Sequence, residues 1–179
     1  MQLYNRVDRL SNTKKIVFIG LLISMSLVLS YFERFIPLPF AFPGVKLGLA
    51  NAVTLTALYL LNFRGTFTLV LVRILMNAMF IGNFMSFWYS LSGGLLSFLI
   101  MYLCVRFFGK NLSTVGISVA GAFFHNIGQL LVVAIVTGSF AVAFSYLPIL
   151  TVSALITGLL IGITVKLLLV YLNRHAFRG

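Results

Sequence analysis

A few basic and amide side chains sit where an apolar sequence has least reason to carry them, and they are the residues with chemistry to offer. Arg73 lies near the middle of the apolar run 66–81, with Asn77 one turn further along on the same helical face. His125, Asn126 and Gln129 fall close together in a second apolar run, and the i,i+4 spacing gives His125 and Gln129 a shared face. Lys46 and Asn51 flank the start of a third. A charge at the centre of a spanning helix costs about 2.5–3.5 kcal/mol on insertion scales, so it faces the bundle interior or a wet cavity. Two roles are open to Arg73: to be held by carbonyls and amides of neighbouring helices, or to meet an anionic ligand. The amides around His125 divide the same way, between interhelical hydrogen bonds worth about 0.6–2 kcal/mol each and the wall of a polar cavity. Lys46 is either a solvated interfacial lysine or the first cation an entering anion meets. Asn83 and Trp88 are positioned to complete an outer mouth.

The acids narrow the chemistry further. Asp8 and Glu33 are the two in the chain. Asp8 belongs to the N-terminal stretch and Glu33 to the far end of the first apolar run, so no shared carboxylate site is expected, and no acid at the depth of Arg73. Paired carboxylates for acid–base work and aspartate clusters for magnesium both need more than this, so no catalytic residue and no metal ligand is assigned. His125 and His175 are too far apart along the chain's span pattern for a joint metal site. Gly109-Lys110 is followed by Asn111 and lacks the upstream glycine of a phosphate-binding loop. No intrinsic cofactor is expected, and any ATP must be bound by partner subunits. Cys104, the single cysteine, has no intramolecular disulfide partner.

The elements that position these residues follow from composition. The chain of 179 residues is 61% hydrophobic and 8% charged, against about 25% charged in soluble domains. Such a chain needs an apolar solvent, and about 20 apolar residues cross a bilayer core of roughly 30 Å. Residues 111–165 hold no Asp, Glu, Lys or Arg; one helix of that length would span roughly 80 Å, so it folds back on itself, with weak points at Gly138 and Pro148. The pattern predicts an all-α polytopic membrane protein: one domain, residues 1–179, with transmembrane helices at about 15–36, 45–62, 66–81, 86–108, 113–136 and 148–172. Pro37, Pro39 and Pro43 force a stiff loop between the first two. The first run ends in Glu33-Arg34-Phe35 and not in a small-residue cleavage site, so it reads as a retained helix. With the N-terminus inside, Arg6, Arg9, Lys14, Lys15, Arg64, Arg106, Lys110, Arg174 and Arg178 collect on the cytoplasmic side against Arg34 and Lys46 outside. This positive-inside bias puts both termini in the cytoplasm of a multi-pass protein of the cell membrane. The net charge of +11 follows from that bias, and no nucleic-acid partner is expected. Ala154, Gly158 and Gly162 form a close-packing stripe. Gly20 and Ser24 on the first helix either pack internally or dock a partner membrane protein.

The segment Pro-Gly-Val-Lys-Leu-Gly-Leu-Ala-Asn at residues 43–51 resembles the signature of the family labelled heptaprenyl diphosphate synthase component I, or Gx transporter family. The Arg73–Asn77 spacing and the Phe-His-Asn-x-x-Gln around His125 support the resemblance, which covers essentially the whole chain. That family is similar in length and helix pattern to the substrate-binding S components of energy-coupling factor importers. The resemblance implies an outward pocket under the loop between helices 1 and 2, and the polar residues Lys46, Asn51, Arg73, Asn77, His125, Asn126 and Gln129 are the contacts expected for a ligand that enters there. It implies docking through small residues on helix 1 (here Gly20 and Ser24) to a transmembrane scaffold with ATPases. The cargo would be a small anionic, vitamin-like, flavin-like or isoprenoid-like molecule. The alternative is a non-catalytic accessory subunit of a prenyl-quinone or flavin-linked electron-transfer complex. The synthase label itself implies aspartate-rich magnesium motifs, and the chain has none.

Overall fold

In the computed structural model, described at residues 7, 11–35, 46–80, 84–109 and 111–175, the chain folds into six helices and no strand among those residues. They are α1 (Asn12–Phe32), continued by a 3-10 turn at Glu33–Phe35, α2 (Asn51–Leu60), α3 (Phe63–Phe80), α4 (Phe84–Phe108), α5 (Thr114–Thr137) and α6 (Phe140–His175). All but α2 are long and apolar enough to cross a membrane. The distribution of polarity is that of a multi-pass membrane protein. Arg73, Asn77, His125, Asn126 and Gln129 are buried, while Met79, Ile135, Leu160 and Leu167 are among many large apolar side chains left exposed. In water that arrangement would forfeit the hydrophobic effect; in lipid it satisfies it.

The second crossing departs most from expectation. The helix anticipated over 45–62 begins at Asn51 and spans ten residues, a rise of about 15 Å or half a hydrocarbon core. Gly48 interrupts it with φ +85°, a left-handed conformation that no α-helix accommodates. The chain therefore enters through non-helical residues 46–50, and α2 starts inside the bundle. Every residue of α2 except Ala52 is buried, as an all-round apolar helix requires.

The sixth helix also differs: it starts at Phe140, well before Pro148, and contains that proline. α5 stops at Gly138, whose φ of +64° makes a left-handed cap, so a two-residue reversal suffices and α6 begins at once. Pro148 contributes no amide to the helix ladder. Nearby side chains supply hydrogen bonds to this stretch: Thr151 Oγ1 donates to the Leu147 carbonyl at 2.8 Å, and Asn126 Nδ2 to the Leu150 carbonyl at 2.8 Å. α5 is the central element, packed on α4 and α6. The stripe on α6 is an internal contact, because a Cβ on Gly158 or Gly162 would lie 2.6 Å from the Cα of Val119 or Val115 on α5. The proline loop at 37, 39 and 43 and residue Asn83 lie outside the described residues.

Candidate functional site

The site is built on the strap of residues 46–50. An extended chain within a bundle must find hydrogen-bond partners for its backbone, and here side chains provide them. The Lys46 N–H donates to Gln129 Oε1 at 2.7 Å, and the Lys46 carbonyl accepts from Gln129 Nε2 at 2.8 Å. Two residues further on, the Gly48 N–H donates to Glu33 Oε1. The strap is thus held from α5 on one side and from the end of α1 on the other. Gly48 is obligatory for space as well as conformation, since a Cβ there would lie 2.7 Å from Asn51 Nδ2 and 3.0 Å from His125 Cδ2. The first amides of α2 are closed by tight turns, Asn51 onto Gly48 at 2.8 Å and Ala52 onto Leu49 at 3.0 Å.

Beneath the strap is a cavity lined by Ser30 and Glu33 of the α1 end, Lys46, Gly48, Ala50 and Asn51 of the strap and α2, Arg73, Ile74 and Asn77 of α3, Ser90 of α4 and His125 of α5. Two adjacent glycines of α4 give room for its walls: a Cβ on Gly93 would strike the His125 carbonyl at 2.7 Å, and one on Gly94 would lie 3.3 Å from Arg73 Nη2. The space open to the centre of a water molecule is about 20 Å³, room for a water or two and far below a drug-sized pocket.

The cavity walls carry an unusual share of polar atoms with no hydrogen-bond partner among the described residues. Asn51 Nδ2 and Oδ1, Arg73 Nη1, Asn77 Oδ1 and His125 Nε2 are all buried and unpaired. Each such group costs about 1–3 kcal/mol or more if it stays dry, and several facing one small space mark a place for water, an ion or a ligand. Lys46 Nζ donates to Ser90 Oγ at 3.1 Å at its edge.

Five of the residues singled out in the sequence, Lys46, Asn51, Arg73, Asn77 and His125, line this one cavity. Gln129 stands behind it, with both amide groups engaged by the Lys46 backbone. Asn126 turns to α6 and its amide nitrogen bonds the Leu150 carbonyl. Trp88 is 42% exposed and stacks edge-on with Phe84 and Phe87, away from the cavity. The expectation that no acid reaches the depth of Arg73 is overturned: Glu33 lines the same cavity and is 6% exposed. The 3-10 turn carries it inward after α1, and the broken second crossing opens the space that receives it. Ser30 and Ser90 likewise escape a reading by residue type. The signal for Glu33 was its scarcity, as one of two acids in a chain with 13 basic residues.

On α1, Leu22, Ser26 and Ser30 are buried against the bundle. Gly20 and Ser24 lie on the other face, both exposed, with nothing within 4 Å of where a Gly20 Cβ would be. Among the described residues no three His, Cys, Asp or Glu side chains group as metal ligands would. The arrangement brings two cations, one carboxylate, amides and an imidazole around one small space.

No curated protein and no solved structure matches the chain. One family model does, over residues 22–168, which takes in α1 from its first buried residue, the strap, and every helix that lines the cavity. On that match the chain belongs to the heptaprenyl diphosphate synthase component I family.

Proposed function

We propose that the protein is a substrate-binding membrane subunit, similar to the S component of an energy-coupling factor importer, that takes a small anionic molecule. The observation that carries this reading is the cluster of unpaired polar atoms from α2, α3 and α5 around one buried cavity with two cations. A purely structural polar core satisfies its own donors and acceptors; here several residues that line one cavity carry unsatisfied ones. The start of α2 inside the bundle adds a half-helix N-terminus, a feature that favours negative charge in transporter sites. Lys46, Asn51, Arg73, Asn77 and His125 are the ligand contacts in this reading. Gln129 positions the strap, and Asn126 serves α6. The cavity's size means that an anionic group alone fits beneath the strap, so the body of a larger cargo requires residues 46–50 to move. Binding of ATP, and any work derived from it, belongs to partner subunits. The exposed Gly20–Ser24 face of α1 is the surface for the scaffold. The protein is not itself an enzyme, and it resides in the cell membrane with both termini in the cytoplasm.

Purification from native membranes, with mass spectrometry of everything that co-elutes, tests this reading. A membrane scaffold with ATPases, and a small acid lost from the Arg73→Ala variant, is the expected result. The family's description as one component of a synthase favours a second reading, an accessory subunit in a prenyl-linked complex. Co-elution of redox or prenyl-transfer proteins, with no ATPase and no small molecule, would establish that one instead.

A further inference from the structure

We infer that Glu33 is a built-in counter-charge that limits the anchoring group of the ligand to a single negative charge. The inference rests on the reading of the cavity as a ligand site, and it specifies the ligand that site takes. Among the described residues three charged side chains share the cavity: Lys46, Arg73 and Glu33. With Glu33 ionised the balance is one positive charge in excess. His125 stands as the neutral imidazole, because two cations already share one carboxylate and a third would be uncompensated. Among the described residues no second carboxylate lines the cavity. One unit of negative charge from outside completes the balance. A dianion would exceed it and set a surplus charge beside Glu33 in a poorly screened interior, where like charges repel strongly.

Glu33 is not free to step aside. Its carboxylate accepts the Gly48 N–H, and Gly48 is confined by its φ of +85° and by contact with Asn51 and His125. Moving the carboxylate away therefore dismantles the strap. The unpaired atoms agree with a monoanion that also brings donors. Arg73 Nη1 and Asn51 Nδ2 are donors for the anionic oxygens, while Asn77 Oδ1 and Asn51 Oδ1 are acceptors for a neighbouring hydroxyl. A carboxylate with an adjacent hydroxyl group has that chemistry; a diphosphate does not.

The test uses the purified full-length protein in lipid nanodiscs, with glycolate as the monoanion and oxalate as the dianion, titrated calorimetrically at matched ionic strength. Wild type is expected to bind glycolate at least about tenfold more tightly than oxalate, the effect of one pKa unit's worth of charge interaction. Glu33→Gln keeps an oxygen for the Gly48 amide and removes the charge, so the preference should reverse toward oxalate by about tenfold or more. Should that variant fail to fold, Lys46→Met provides the complementary case. It leaves Glu33 and Arg73 balanced, and glycolate affinity should fall by about tenfold while neutral glycolamide binds as well or better. An unchanged glycolate-to-oxalate ratio in folded Glu33→Gln, or undiminished glycolate binding in Lys46→Met, would overturn the role of Glu33 and leave the ligand site standing. Absence of binding by either acid to folded wild type would overturn both.

Discussion

Gln129 and Lys46 are joined by two hydrogen bonds, N–H to Oε1 at 2.7 Å and Nε2 to carbonyl at 2.8 Å, so that one side-chain amide does for a single residue what a neighbouring strand does in a sheet. The strap over the cavity depends on that pair. Gln129→Ala removes both bonds and leaves two backbone groups unpaired, at about 1–3 kcal/mol each. The variant should melt earlier in detergent, and protease or thiol-labelling access to residues 46–50 should rise. Gln129→Glu, which keeps an acceptor for the Lys46 amide, should fall between the two. A melting point and accessibility equal to wild type for Gln129→Ala would show that the strap is held elsewhere.

Gly48→Ala places a methyl group in left-handed backbone, at about 1–3 kcal/mol for the strain alone. The methyl also stands 2.7 Å from Asn51 Nδ2. Loss of ligand binding together with a lower melting temperature is the expected result, measured on the same preparation. Gly138→Ala is the control: it shares a positive φ of 64° but has nothing within 4 Å, so it should cost stability and leave binding intact.

Arg73→Ala and Asn126→Ala separate recognition from packing. The first removes a cavity cation and should lower affinity for a small carboxylate by at least about tenfold, a loss on the scale of one pKa unit of charge interaction, with insertion unchanged. The second removes the bond to the Leu150 carbonyl, worth about 0.6–2 kcal/mol between helices, and should lower the melting point with affinity preserved. Equal effects on binding would mean that Asn126 also reaches the ligand.

Two glycines on different helices distinguish internal packing from docking. Gly158→Leu forces a side chain toward the Val119 backbone, 2.6 Å from where its Cβ would begin; it should disrupt the α5–α6 contact and reduce the yield of folded protein. Gly20→Leu meets no neighbour in this chain. Its melting point should match wild type while co-purification of a scaffold subunit is lost. Retention of the scaffold would move the docking surface away from α1.

The sequence carried the spans because hydropathy acts along the chain, and five long apolar helices answer to it. It carried the polar cluster because amides and cations in apolar runs are expensive wherever they point; Lys46, Asn51, Arg73, Asn77 and His125 do converge. What hydropathy could not convey was backbone conformation. Gly48 reads as an ordinary small residue until its φ is known, and with it went the start of α2 and the depth of Glu33. Pro148 misled for a related reason: a proline inside a helix removes one ladder amide and leaves one carbonyl, that of Phe144, without its donor, a loss that helix α6 takes without ending.

The brevity of α2 also bears on what lies beyond the cavity. Below Asn51 the path toward the far end of the helix is closed by Leu55, Leu58, Leu60 and Leu61, each no more than 2% exposed, over a rise of about 15 Å. These side chains make an apolar plug about half a hydrocarbon core thick. On the reading proposed above, a solute seated beside Asn51 meets this floor, and the chain reconstituted alone in vesicles should leave an imposed ion gradient intact. Onward passage on that reading requires the plug to be displaced, with the force supplied by partner subunits.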